Sequence, residues 1–254
     1  MKERPILFKG EMVRAILSGS KSQTRRAMKP QPPEFVRVRL GSNSLEHHFF
    51  DDGRDGEVAR NWPDRNILSL CPHGQVGDRL WVKETTVNVE DHGYVGPVYA
   101  ESDDGRSIIE YGLSPSPDDM TEVEPEDIKL RPSIFMSRAM SRITLEITGV
   151  RVERLQEISE ADAKAEGCES LHEGEHGYVY REEHDWNICP KCGGTRLHDA
   201  LGSNFGVIHD VDCRECDTYV KRYRHLWESI NGKGSWNVNP WVWVIEFKRV
   251  GGAA

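Results

Sequence analysis

Four residues with reactive or charged side chains lie together near the N-terminus, in the segment 19–26 (GSKSQTRR). Lys21 supplies an amine, Thr24 a hydroxyl, and Arg25 and Arg26 two guanidinium groups. A neutral amine can take the proton of a hydroxyl that attacks a carbonyl carbon, while guanidinium groups bind phosphates and carboxylates. The same residues also suit a solvated turn after a helix. By itself, the segment leaves a nucleophilic site and an ordinary turn both open.

The elements around this segment decide which side chains it can bring together. Apolar residues recur at helical spacing just before it, at Met12, Val13, Ile16 and Leu17. We therefore predict a helix at 10–18, with Gly19 as its C-terminal cap. Residues three apart point to opposite faces of a regular strand. Lys21 must therefore approach Thr24 from the turn after Gly19, before the strand becomes regular.

The remaining pattern indicates strands separated by few helices. We predict strands at 79–84, at 143–156 with a kink at Gly149, and at 241–250. Helices are predicted from the cap Ser159 to Gly167 and at 219–230. This order of elements predicts an α+β fold.

Four ordered motifs in the chain resemble those of the ASCH domain, a small β-barrel of the PUA-like superfamily. The first is the pattern Gly-x-Lys-x-x-Thr-x-Arg, filled here by Gly19, Lys21, Thr24 and Arg26. The others are 76–82 (VGDRLWV), 158–167 (ISEADAKAEG) and 243–248 (WVIEFK). The resemblance implies one ASCH/PUA-like domain over 1–254, an α+β barrel with flanking helices.

The chain is similar in particular to the long ASCH-like proteins of tailed phages and prophages. The segments 5–8 (PILF), 131–136 (RPSIFM) and 239–243 (NPWVW) are typical of that group. This similarity implies a phage-related protein that works in the host cytoplasm.

The resemblance also implies an activity. Small bacterial ASCH proteins are N4-acetylcytidine amidohydrolases, and their Lys, Thr and Glu match Lys21, Thr24 and Glu166 here. In these roles Lys21 accepts a proton, Thr24 attacks the acetyl carbonyl, and Glu166 protonates the departing N4 amine. Lys21 must then be neutral and Glu166 protonated, so an ammonium–carboxylate pair between them would not suit the resting state.

Substrate binding is assigned to Arg25, Arg26 and Trp236. The arginines suit a phosphate, and Trp236 suits stacking on a base. Trp236 could equally close the end of a barrel, and Arg26 could pair with an acid inside it. Arg25 replaces an apolar residue of the family motif, and the chain is longer than the small amidohydrolases. A non-catalytic RNA or modified-base reader is therefore the alternative function, followed by a ribonuclease.

The charge distribution limits the class of partner. The net charge is −9, although residues 1–40 alone carry ten Lys and Arg against three Glu. An acidic chain is a poor binder of long duplexes, so we expect a nucleoside, a nucleotide or a short single-stranded RNA or DNA as partner. Residues 90–127 hold twelve acids and one base, and we interpret 88–130 as an acidic, irregular insertion. No apolar run approaches the length of a membrane span, so we expect a soluble cytoplasmic protein.

The cysteines predict a separate element. Two C-x-x-C pairs are present, Cys189 with Cys192 and Cys213 with Cys216. Four thiolates from two such turns can close a tetrahedron around Zn²⁺, so we predict a zinc-ribbon-like insertion at 180–218 with structural zinc. Disulfides and a redox pair are the competing interpretations, and a cytoplasmic chain disfavours the first. Cys71 and Cys168 are expected to be packed thiols.

Overall fold

The computed structural model describes residues 1–32, 36–40, 47–51, 67–89, 92–115, 122–168, 189–193, 197–202 and 206–251. The strands are β1 (Glu3–Leu7), β2 (Gln23–Ala27), β3 (Val36–Leu40), β4 (His47–Asp51), β5 (Arg79–Lys83), β6 (Thr86–Val87), β7 (Val98–Tyr99), β8 (Leu130–Arg131), β9 (Thr144–Arg154), β10 (Leu197–Leu201), β11 (Val207–Asp212) and β12 (Trp241–Arg249). The helices are α1 (Gly10–Leu17), α2 (Asp103–Tyr111), α3 (Glu160–Ala165) and α4 (Tyr219–Asn231).

The predicted α+β class is confirmed. Within the described segments there are four sheets, with strand orders β1-β5-β9-β12-β2, β7-β6-β8, β3-β4 and β10-β11. No pairing among the described residues closes the largest sheet into a barrel. No helix in these segments combines the length and the apolar character needed to cross a membrane.

The chain forms two compact units, each assembled from separated segments. The first comprises Met1–Ser18, Pro72–Thr148 and Phe247–Ala254, and the second comprises Gly19–Cys71 and Gly149–Glu246. Strands β9 and β12 each contribute residues to both units.

The core of the first unit follows the alternation of its strands. Strand β1 runs parallel to β5, and β5 pairs antiparallel with the start of β9. Because alternate residues of a strand face the same side, one face of these strands is buried. Its fully buried side chains are Leu80, Val82, Leu145 and Ile147.

The described part of the acidic segment 88–130 is folded rather than irregular. Strands β6, β7 and β8 form a sheet, and the hydroxyl of Ser102 accepts a hydrogen bond at the start of α2. A small apolar cluster lies among these elements, formed by Val87, Val89, Ile108 and Leu113. The residues of this cluster come from separate parts of an acidic stretch of sequence. No short window of that stretch therefore shows a clear hydrophobic period.

The second unit contains the reactive segment. Strand β2 pairs antiparallel with β12, with Thr24 opposite Ile245 and Arg25 opposite Val244. The first five residues of β12 are all buried. Helix α4 turns Tyr223, Leu226 and Trp227 into the same unit. Strands β3 and β4 also belong to this unit, and they pair antiparallel with each other.

Candidate functional site

The turn between α1 and β2 places Lys21. Helix α1 ends at Leu17, and Gly19 has a φ of 83°, in the left-handed region that glycine adopts without strain. Lys21 then forms an isolated β-bridge with Glu166, two residues before β2 begins at Gln23. The prediction that Lys21 enters from the turn, ahead of the regular strand, is confirmed.

Helix α3 places Glu166 from the other side. The hydroxyl of Ser159 caps its first turn by accepting from the backbone N–H of Asp162, as predicted. The helix ends at Ala165, and the following Gly167 has a φ of 85°. The backbone N–H of Ser22 donates to the carbonyl of Ala165 at 2.9 Å. The end of α3 and the entry to β2 are therefore joined by backbone hydrogen bonds.

Lys21 and Glu166 form a buried pair. Lys21 Nζ lies 2.8 Å from Glu166 Oε2 and 2.8 Å from the carbonyl oxygen of the same residue. Their side chains are 0% and 2% exposed. The amine and the carboxyl group are thus held within one hydrogen bond of each other, away from water.

Arg25 connects this pair to further carboxylates. Its Nη1 lies 3.2 Å from Glu166 Oε1, and its Nη2 lies 2.6 Å from Glu153 Oε1 and 3.4 Å from Asp162 Oδ2. Burial lowers the pKa of Arg25, but the charges of Glu166 and Glu153 outweigh it and raise the pKa above its usual range. In this structure the guanidinium of Arg25 is directed at three carboxylates. Its contact with a substrate stays a prediction.

Thr24 precedes Arg25 on the buried strand β2, and it is 3% exposed. Its role as a nucleophile stays a prediction. The neighbouring Arg26 also belongs to the electrostatic environment. Burial lowers the pKa of Arg26, and the charge of Glu166 acts in the opposite direction without reversing the shift.

Tyr223 is a site residue that the sequence interpretation missed. The guanidinium carbon of Arg25 lies 5.8 Å from its ring centroid. Trp236, predicted to bind substrate, packs edge-on against Tyr223 with centroids 6.2 Å apart and is 8% exposed. Stacking of Trp236 on a base stays a prediction. The helical period of 219–230 places Tyr223 on the buried face of α4, but nothing in that period shows what it meets there.

The two free thiols outside the C-x-x-C pairs are buried, as predicted. Cys168 lies near the charged cluster, and burial followed by the charge of Glu166 raises the pKa of its thiol to about 12. This thiol is therefore not a thiolate at neutral pH, so it is a weak nucleophile.

The four cysteines of the C-x-x-C pairs come together in the second unit. Their sulfur atoms all lie within 4.8 Å of one another. The sulfur of Cys189 lies 3.8 Å from that of Cys213, and the sulfur of Cys192 lies 3.3 Å from that of Cys216. Zinc–sulfur bonds of about 2.3 Å in a tetrahedron place sulfur atoms roughly 3.8 Å apart. The donor set and its dimensions therefore fit a bound metal ion, and none of the four is in a disulfide.

Helix α4 links this cluster to the charged site. Arg222 Nε donates to the carbonyl of Cys216 at 2.8 Å, and Lys221 Nζ donates to that of Arg214 at 2.7 Å. Both residues lie one or two positions from Tyr223. Residues 180–188 of the predicted insertion lie outside the described residues.

Comparison with known proteins gives no relative of this chain: no protein-family model, no curated protein and no solved structure matches it. The assignment of a function therefore depends on the chemistry of the site.

Proposed function

We propose that the chain is an amidohydrolase that removes the acyl group from the N4 amine of a modified cytosine nucleoside such as N4-acetylcytidine. The observation that carries the proposal is the buried 2.8 Å contact between Lys21 Nζ and Glu166 Oε2. Thr24 follows Lys21 by three positions, on the buried strand β2. One base, one acid and one nucleophile are the groups that a two-step acyl transfer requires. An ASCH/PUA-like fold is part of the same proposal.

The first half of the reaction uses the neutral form of the pair. Lys21 accepts the proton of Thr24 as the threonine oxygen bonds to the acyl carbon. Glu166 then gives its proton to the N4 nitrogen as the carbon–nitrogen bond breaks. The cytosine amine leaves, the acyl group remains as an ester on Thr24, and the pair is left as ammonium and carboxylate.

The second half returns both protons. The Glu166 carboxylate accepts a proton from a water molecule that attacks the ester carbon. Lys21 gives its proton to the Thr24 oxygen as the ester bond breaks, which releases the carboxylic acid and restores the neutral pair. The two forms also interconvert by moving one proton along the 2.8 Å contact. Lys21 and Glu166 cannot act as base and acid while they are paired as ammonium and carboxylate, so the first half requires substrate binding to favour the neutral form.

Zinc is the metal that this proposal assigns to Cys189, Cys192, Cys213 and Cys216. A set of four cysteine ligands leaves no coordination position for substrate, so the ion would stabilise the insertion and support α4. No proton transfer in the proposed reaction involves it.

The test is incubation of the protein with N4-acetylcytidine, with cytidine and acetate measured by chromatography and mass spectrometry. We expect turnover, its loss in both Lys21→Ala and Thr24→Ala, and partial recovery in Thr24→Ser, which keeps a hydroxyl. Ser22→Ala removes an exposed hydroxyl from the same segment and should leave turnover unchanged.

The alternative function gives a different result. A reader of modified bases would bind N4-acetylcytidine or a short RNA without converting it, and binding would survive Thr24→Ala. Absence of both turnover and binding would exclude the two functions for this ligand.

A further inference from the structure

The two oxygens of the Glu166 carboxyl group have different partners. Oε2 lies 2.8 Å from Lys21 Nζ, whereas Oε1 lies 3.2 Å from Arg25 Nη1. The side chains of Lys21 and Arg25 are both 0% exposed, and that of Glu166 is 2% exposed. The orientation of the carboxyl group is therefore fixed by two buried cations, one at each oxygen.

The guanidinium group of Arg25 is itself held in place. Its Nε and Nη2 donate to the same oxygen of Glu153, at 3.0 and 2.6 Å, and Nη2 also lies 3.4 Å from Asp162 Oδ2. Arg151 contacts both acids through their other oxygens, at 3.1 Å from Glu153 Oε2 and 2.8 Å from Asp162 Oδ1. The planar fork of a guanidinium contacts several carboxylates in fixed directions, which a lysine ammonium does not do.

These contacts favour a role for Arg25 inside the protein over a contact with substrate. Its Nε and both of its Nη atoms already face carboxylate oxygens. A substrate phosphate would have to displace one of these carboxylates, and a buried charge that loses its partner is costly. Among the groups that Arg25 contacts, Glu166 is the one with a proposed part in the reaction.

Arg25 determines which oxygen of Glu166 can exchange a proton with Lys21. Arginine has only hydrogen-bond donors and stays protonated in proteins. A proton on Oε1 would therefore face a donor, whereas a proton on Oε2 faces Nζ, which accepts it when the amine is neutral. Oε2 is the oxygen that can carry the exchangeable proton.

We infer that Arg25 is a positioning residue, which holds Oε1 of Glu166 so that this acid gives and takes its proton through Oε2. This inference rests on the proposed amidohydrolase function. In the first half of the reaction, the O–H bond at Oε2 breaks as an N–H bond forms on the N4 amine. In the second half, Oε2 takes the proton of the attacking water. Arg25 keeps its protons and its charge throughout and acts only through Glu166.

The experiment compares Arg25→Met and Arg25→Lys with the wild type, with N4-acetylcytidine as the substrate. Methionine removes the guanidinium group, whereas lysine keeps the positive charge without the fork. For Arg25→Met we expect kcat to fall about 100-fold with little change in KM, as when a catalytic group is misplaced by about 1 Å. Arg25→Lys should recover only a small part of this loss.

Two further variants separate positioning from a loss of stability. Glu153→Gln keeps the shape of the side chain that holds Arg25 but removes its charge, so kcat should fall by a smaller factor, again with little change in KM. Arg142→Met breaks another arginine–glutamate pair, in which Arg142 Nη2 lies 2.9 Å from the buried Glu84. That pair belongs to the first unit, whereas the proposed catalytic residues belong to the second. Arg142→Met should lower the melting temperature and leave kcat unchanged.

Four kinetic results would overturn the role of Arg25 while the wild type hydrolyses the substrate. One is a kcat for Arg25→Met within a few-fold of the wild type, and another is a wild-type kcat for Arg25→Lys. A third is a rise in KM without a fall in kcat, which would assign Arg25 to substrate binding. The fourth is an equal fall in kcat for Arg142→Met. If Arg25→Met does not fold, Arg25→Lys and Glu153→Gln decide the kinetic test.

The orientation of Glu166 separates a failure of this role from a failure of the proposed function. In a crystal structure of Arg25→Met we expect the carboxyl group to turn so that Oε1 as well as Oε2 approaches Lys21 Nζ, because a buried oxygen that loses its donor is costly to leave unpaired. If the carboxyl group turns but the wild type does not hydrolyse N4-acetylcytidine, the amidohydrolase proposal fails and the positioning of Glu166 by Arg25 stands. An unchanged orientation would overturn the role of Arg25 whether or not the wild type is active.

Discussion

Replacing Lys21 with methionine tests whether the buried pair supports the fold. Methionine keeps an unbranched chain of similar length but removes the ammonium group and its hydrogen bonds to Glu166. Removing one partner of a buried ion pair typically costs about 3–5 kcal/mol, because the other charge stays buried. Arg25 still lies 3.2 Å from the Glu166 carboxylate, so we expect the lower end, about 3 kcal/mol. In a chain of this size that loss lowers the melting temperature by about 6–12 °C.

A surface pair provides the control for this measurement. Lys248 Nζ lies 3.0 Å from Glu146 Oε1, a similar distance, but the two side chains are 60% and 31% exposed. Exposed pairs of this kind contribute about 0–1 kcal/mol, so Lys248→Met should change stability far less than Lys21→Met. Stability would be measured by urea denaturation, followed by tryptophan fluorescence and circular dichroism.

The double variant Lys21→Met/Glu166→Leu completes the test. Removing both charges avoids a lone buried carboxylate, so its cost should be smaller than the sum of the two single costs by about 1 kcal/mol or more. Equal costs for Lys21→Met and Lys248→Met, or strict additivity in the double variant, would refute the buried pair as a source of stability.

Two further predictions follow from the second unit. Protein purified without chelators should contain close to one zinc per chain by elemental analysis. Cys192→Ser should lose the zinc, while its circular dichroism spectrum should stay close to that of the wild type. Disulfide-linked cysteine pairs without metal would contradict this prediction. Burial raises the pKa of Asp162, but the hydrogen bond from Ser159 and the charges of Arg151 and Arg25 outweigh it and leave the pKa below its usual range. A lowered folded pKa stabilises the protein above the unfolded value of about 3.9 and loses that effect as the pH falls through the folded value. Asp162→Asn should therefore lose less stability than the wild type as the pH falls below about 4. The control variant Asp104→Asn, at an exposed position, should follow the wild type. Parallel acid unfolding curves for the three proteins would contradict this prediction.

Local features of the chain could be predicted because neighbouring residues determine them. The end of α1 shortly before Gly19, the cap of α3 at Ser159 and the boundaries of α4 follow from backbone preferences within a few residues. The two C-x-x-C pairs likewise indicate a cluster, because the short turns place the sulfurs of each pair together.

The partners of the reactive residues could not be predicted in the same way. Lys21 and Glu166 are 145 positions apart, and Arg25 meets Glu153 across 128 positions. Their contacts depend on the pairing of β2 with β12 and on the hydrogen bond that joins the end of α3 to the entry of β2. The resemblance indicated that Lys21 and Glu166 share a site, but it did not indicate that they touch.

Tyr223 shows the physical reason most clearly. The sequence determines that this residue is on the apolar face of α4, because a helical period sorts side chains by face. Only the tertiary structure decides that this face meets Arg25 and the charged cluster rather than other aliphatic side chains. A sequence period records whether a side chain is buried, whereas the chemistry of a buried group depends on which distant residues surround it.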